Sequence, residues 1–200
     1  MDYVFEIHNN ISPEICEEMI TLFEKDDGKE PGVTGSNDPK DPVKRSLDLQ
    51  ISNPDHKETW GVIDKYLCTQ LTEGIRKYID HIHTVCGVND NNLAHGYDTG
   101  YQIQRTDAGG YYSWHHDQCY QTRRVMTFIW YLNDIDITSD GGATAFHPKV
   151  GGGGLIKPEQ GKLLLFPATW TYTHSGLPFV NKKKSKYICT GWIHIPDKPK

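Results

Sequence analysis

His115 and Asp117 stand two positions apart in Tyr111-Tyr112-Ser113-Trp114-His115-His116-Asp117, and His174 follows in a later strand-like run, Thr169-Trp170-Thr171-Tyr172-Thr173-His174. On a β-strand, residues i and i+2 point to the same face, so the imidazole of His115 and the carboxylate of Asp117 would converge. Two histidines and one carboxylate brought together from separate strands form the 2-His-1-carboxylate facial triad, which suits Fe(II) and leaves coordination positions open for substrates. His116 is set aside because its strand-mate two residues on is Gln118, not a carboxylate. A lone His-x-Asp is common by chance, so its weight depends on the elements around it.

Those elements change character along the chain. Residues 3–8 read as a short strand, and Ser12-Pro13-Glu14 signals a helix start, with serine as cap and proline in the first turn. Ile15, Met19, Ile20, Leu22 and Phe23 then make one apolar helical face. Residues 28–44, rich in proline, glycine and charge, read as a mobile loop, either a solvated linker or a flap over substrate. Residues 46–51 alternate as a strand does. From His56 to about Val85, Trp60, Ile63, Leu67, Leu71, Ile75, Tyr78, Ile79 and Ile82 recur at helical spacing, which predicts a long brace packed on a sheet. His81 and His83 lie two apart on that helix, on different faces, and read as structural. Beyond a turn-rich stretch, residues 100–106, 111–118, 124–132, 143–147, 162–166, 170–174 and 186–195 all read as short strands. Helices first and then many closely spaced strands predict an α+β chain whose second half is a sandwich or barrel. Gly151–Gly154 lacks the lysine and helix of a phosphate loop and reads as a hairpin loop.

Composition sets outer bounds. Two hundred residues with a net charge of -5 suit one domain and argue against general nucleic-acid binding, which needs a basic footprint. The N-terminus shows no basic region followed by an apolar run, and no apolar stretch is long enough to span a membrane. The five cysteines are odd in number and scattered, without a CxxC pair, as reduced thiols are. The expectation is a soluble, cytoplasmic protein with no membrane partner.

Gly109-x-x-Tyr112-x-x-His115-x-Asp117, Arg124-x-x-Thr127-x-x-x-Tyr131-Leu132-Asn133, Gly141-Gly142-x-Thr144-x-Phe146, Pro158-x-x-Gly161 with Leu165-Phe166-Pro167, His174-x-Gly176-x-Pro178, and Lys186-Tyr187 with Trp192-Ile193 follow one another in this order. In that order they resemble the 2-oxoglutarate- and Fe(II)-dependent oxygenases, in particular the prolyl 4-hydroxylase-like branch. The resemblance implies a double-stranded β-helix (jelly-roll, cupin-like) core over residues 96–195. Residues 1–95 would brace it as a helical support within the same domain, with the 28–44 loop mobile. It further implies that His115, Asp117 and His174 bind Fe(II), with 2-oxoglutarate and O2 as cosubstrates and ascorbate as a further candidate. The implied reaction is a dioxygenase hydroxylation of a substrate C–H, with succinate and CO2 as co-products. The substrate would be a prolyl residue in a peptide or protein; the alternative is a small molecule, a free amino acid or another side chain.

The same resemblance calls for a basic anchor for the distal carboxylate of 2-oxoglutarate, since a dianion entering an apolar barrel needs a charged partner. Lys186 has the expected relation to Tyr187 and Trp192 on the closing strand, and Lys184 has the expected distance from His174. Strands tolerate insertions less than loops do, which favours Lys186 and leaves Lys184 as the alternative. Lys182 and Lys183 read as a solvated turn. Tyr131 and Thr144 are the implied neutral donors to that carboxylate, with Thr127 as a substitute on Tyr131's face. Arg124 reads as one half of a structural ion pair. Many relatives carry a tyrosine where this chain has Thr106, so completion of the cosubstrate site is open at that point. His147 and His194 read as structural or exposed, and Cys119 as an ordinary thiol near the mouth. A binding module without catalysis would need neither triad nor lysine. A zinc hydrolase would need an added general base that the sequence does not show.

Overall fold

A hydroxyl cap and two apolar faces shape the N-terminal half, seen here in a computed structural model. The structure describes residues 3–34, 43–88, 93–118 and 122–196. Cys119 and residues 35–42 of the predicted loop lie outside the described residues. Strand β1 (Phe5–Ile7) leads into helix α1 (Pro13–Lys25), where Ser12 Oγ accepts from the Ile15 amide and Pro13 sits in the first turn. Two short strands, β2 (Glu30–Pro31) and β3 (Lys44–Arg45), occupy the ends of the segment expected to be loop throughout. Strand β4 (Leu47–Gln50) and helix α2 (Lys57–Cys86) follow. The second half supplies β5 (Tyr97–Asp98), β6 (Gln102–Thr106), β7 (Tyr111–His115), β8 (Arg124–Tyr131) and β9 (Thr144–Phe146). It closes with β10 (Leu155–Ile156), β11 (Leu163–Pro167), β12 (His174–Gly176) and β13 (Lys186–His194).

These strands form two antiparallel sheets. The larger runs β1-β11-β8-β13-β6-β4-β2, with β5 also on β13, and the smaller runs β10-β9-β12-β7-β3. This is the double-stranded β-helix, with the N-terminal helices present. Side-chain alternation decides what each face of the larger sheet does. On β8, Met126, Phe128 and Trp130 face the helices, while Ile129 and Tyr131 face the smaller sheet. On β13, Cys189 and Ile193 join the helix side, whereas Lys186, Ile188, Thr190 and Trp192 line the interior.

Helix α2 covers the outer face with Trp60, Ile63, Leu67, Leu71, Tyr78 and Ile82, all buried. Each such side chain contributes about 1.5–3 kcal/mol on full burial. Gly74 lets the helix lie close to β11, because a Cβ there would stand 2.6 Å from Leu163 Cδ2. A glycine inside a helix costs about 1 kcal/mol relative to alanine, and that close approach is its compensation. His81 stacks on Phe5 at 4.5 Å between ring centroids, a packing role as expected.

Two expectations about strands need correction. Residues 170–174 are not a strand: Trp170–Tyr172 is a 3-10 turn closed by the Tyr172 amide on Thr169 O, and β12 begins only at His174. The strand expected over 111–118 ends at His115. Asp117 lies past it, where its carboxylate accepts from Thr127 of the larger sheet.

Candidate metal centre

Antiparallel pairing of β7 with β12 sets His174 opposite His115 and puts their rings 4.2 Å apart. Asp117 completes the group: one ligand atom from each of the three residues lies within 4.8 Å of the others. His115 Nε2 is 3.7 Å from Asp117 Oδ1, and His174 Nε2 is 3.5 Å from Asp117 Oδ2. The Nδ1–H of His115 donates to Ser113 O at 2.8 Å, and that of His174 to Tyr172 O at 3.0 Å. A carbonyl can only accept, so each ring keeps its proton on Nδ1 and turns the Nε2 lone pair toward the carboxylate. The turn at Trp170–Tyr172 thus has a use: it presents the carbonyl that sets the His174 tautomer.

Electrostatics fits the same role. Burial, reinforced by His174, pushes the His115 imidazole down to about 4, so it is a neutral donor at neutral pH. Burial alone would raise the Asp117 carboxyl, but the two imidazoles and the hydrogen bond from Thr127 outweigh it and hold it below the usual carboxylate range. Thr127 Oγ1 donates to Asp117 Oδ2 at 2.6 Å. Three convergent ligands, two buried and His115 half-buried, with the imidazole tautomers fixed and the carboxylate ionised, fit a divalent cation that accepts nitrogen and oxygen ligands, such as Fe(II).

The three residues open onto a cavity of about 70 Å³ that Lys186 and Thr144 also line. Lys186 is buried, and its Nζ donates to Gly142 O at 2.6 Å. Gly142 adopts a positive φ of 71°, a turn conformation that glycine takes without strain and that presents this carbonyl to the lysine. Burial lowers the lysine to about 8. Lys184 lies elsewhere: it pairs with Asp140 at 2.5 Å and borders a separate polar depression with His8, Asp134 and Glu159. Tyr131 stands behind Thr144, donating its hydroxyl to Thr144 Oγ1 at 2.7 Å, and does not itself line the cavity.

Several other expectations meet the structure here. Thr106 lines the cavity opposite Lys186 in the β6–β13 register. His116 is exposed and faces away from the triad. The Arg124 guanidinium lies 3.6 Å from the centroid of the Trp192 ring. His147 packs edge-on against Trp114, and His194 stacks on Tyr97. Sequence reasoning gave Thr127 a different task and missed Lys44, Ser46, Gln104 and Tyr111, all on the cavity wall. The alternation of β8 was a readable signal for the facing of Thr127. Lys44 carried none, because β3 is two residues long and its place depends on a distant partner.

Comparison with known proteins agrees with this geometry. The model of the 2OG-Fe(II) oxygenase superfamily matches residues 101–194, the span that holds all three metal-centre residues and Lys186. That stretch, a little under half of the chain, is what the chain shares with the superfamily. The chain shares its fold with a viral collagen prolyl hydroxylase of Paramecium bursaria Chlorella virus-1 in complex with 2OG, at 20% identity and a TM-score of 0.67, with 97% of each chain covered. A Trichoplax adhaerens prolyl hydroxylase, solved with a peptide fragment of the hypoxia-inducible factor oxygen degradation domain, aligns at 17% identity and a TM-score of 0.73, covering 98% of this chain and 84% of that one. A Pseudomonas putida prolyl-4-hydroxylase aligns at 16% identity and a TM-score of 0.67, covering 97% and 93%. No curated protein sequence matches the chain. Among its described residues, no helix is long and apolar enough to cross a membrane.

Proposed function

We propose that this oxygenase hydroxylates a prolyl residue in a peptide or protein, with His115, Asp117 and His174 as its Fe(II) ligands and Lys186 as the anchor of 2-oxoglutarate. The observation that carries the reading is one cavity containing both a convergent His-Asp-His ligand set and a buried lysine. Bound Fe(II) with 2-oxoglutarate supplies O2 activation and C–H oxidation, yielding succinate and CO2 as co-products. The chain's own residues do the rest. Ser113 O and Tyr172 O orient the two imidazoles, and Thr127 orients the carboxylate between them. Lys186, held by Gly142 O, offers its ammonium to the distal carboxylate of the cosubstrate, with the Thr144 hydroxyl beside it and Tyr131 orienting that hydroxyl. The Trichoplax neighbour, solved with a peptide, and the other prolyl hydroxylase neighbours support the peptide part of the reading.

The test is succinate release from 2-oxoglutarate by Fe(II)-loaded protein in air, with and without ascorbate and a panel of proline-containing peptides. Peptide-stimulated turnover that disappears in His174→Ala and falls sharply in Lys186→Ala is the expected result. Turnover that no peptide stimulates would move the substrate to small molecules. Absence of turnover with metal bound would overturn the catalytic reading.

A further inference from the structure

Lys44 is a second buried cation on the cavity wall, and neither the metal ligands nor the cosubstrate anchor accounts for it. Strand β3 forms the edge of the smaller sheet, where Lys44 pairs in register with Tyr112. Its Nζ lies 5.4 Å from the centroid of the Tyr112 ring, and that ring stacks on His115 at 3.5 Å. The ammonium therefore lies on the metal side of the cavity. It donates to Asp48 Oδ2 at 2.5 Å, and Asp48 Oδ1 accepts from Ser46 Oγ at 2.7 Å. Because Asp48 is on β4 of the larger sheet, the ion pair ties the two sheets together.

A buried ion pair is a poor choice for a tie alone, since apolar side chains of similar volume commonly hold two strands as well or better. An ammonium has three N–H donors. Asp48 takes one, and among the described residues no further hydrogen bond of Lys44 is found. Donors at a cavity wall without acceptors are unfavourable unless the occupant of the cavity accepts from them.

Charge narrows what that occupant presents. With Fe(II) and 2-oxoglutarate seated, the metal, Asp117, the cosubstrate dianion and the Lys186 ammonium cancel. Lys44 and Asp48 cancel each other. A further carboxylate would enter uncompensated, whereas a neutral carbonyl would not.

We propose that Lys44 and Asp48 are the substrate-recognition pair of this site: Lys44 donates to a neutral carbonyl oxygen of the substrate, and Asp48 keeps that position uncharged so that a carboxylate is refused. The substrate residue is then internal to a peptide, not a free amino acid. The inference rests on the peptide reading above and adds the residues that enforce it.

The test offers each proline-containing peptide in two N-acetylated forms, with its C-terminal proline ending in a carboxamide or in a free carboxylate. Succinate release gives kcat/KM for each, and calorimetry gives the 2-oxoglutarate Kd. Wild type should favour the carboxamide. Asp48→Asn leaves the Lys44 charge unbalanced and should move the preference toward the carboxylate by about tenfold or more. Lys44→Met should raise KM for the carboxamide and leave the 2-oxoglutarate Kd within about twofold. A mere tie between sheets would change both probes equally, so an unmoved ratio in Asp48→Asn overturns the assignment while leaving the peptide reading intact. A wild-type preference for the carboxylate also overturns it. Wild-type protein that turns over neither form of any peptide overturns both.

Discussion

Thr127 and Lys186 show how single side chains set the properties of this site. Asp117 is buried, and an ionised carboxylate there needs hydrogen-bond support as well as a cation. Thr127 provides it from the opposite sheet. Thr127→Val should weaken Co(II) binding roughly 10–100-fold, and Thr127→Ser should restore it, because outer partners of metal ligands act at that scale. A Co(II) titration followed by absorbance checks this, with His174→Ala as the variant that loses the site. Lys186 makes the site pH-dependent. Burial lowers it to about 8, whereas in the unfolded chain it titrates near 10.5. Between these values the unfolded state holds the proton and the folded state does not, so the lysine's contribution to stability rises with pH across that window, by an amount on the order of 3 kcal/mol. Melting curves of wild type and Lys186→Met should diverge in the wild type's favour from pH 8 upward. With Lys186 as the proposed anchor, cosubstrate affinity should run the other way, falling above about pH 8 as its ammonium is lost.

Helix α2 and strand β8 show what whole elements contribute. The brace was legible because Trp60, Ile63, Leu67 and Leu71 repeat at the helical period, and they do pack on the larger sheet. Leu67 is fully buried there, far from the triad in its role. Leu67→Ala should cost about 2–5 kcal/mol in denaturant unfolding and leave Co(II) affinity unchanged. A matching loss of affinity would mean that the brace also shapes the site. Strand β8 divides its residues by alternation: Trp130 anchors the helix side, and Thr127 reaches the carboxylate. The short elements were less legible. The 3-10 turn at Trp170–Tyr172 reads locally as strand because its threonines and aromatics favour strands, and only the need to place Tyr172 O under His174 shows why it is not.

At the scale of the molecule, the metal centre and the cavity join the two sheets. His115 and His174 come from the smaller sheet, and Thr127 and Lys186 from the larger. A cation bound to the folded state therefore stabilises the whole barrel. Co(II) at about a hundred times its Kd should add about 2.7 kcal/mol, raising Tm by roughly 5–10 °C, and EDTA should reverse the rise. Calorimetry with His174→Ala as control reads this directly. The sequence by itself determined the α+β order of elements, the periodicity of the brace, and the ordered motifs that single out His115, Asp117, His174 and Lys186, because these are local or depend only on order along the chain. Tertiary structure alone decided that Thr127 donates to Asp117, that Tyr131 donates to Thr144, that Lys184 pairs with Asp140, and that Lys44 reaches the cavity. Each of those depends on which strand lies opposite which, and pairing between distant segments is set by the register of two sheets, which no local spacing encodes.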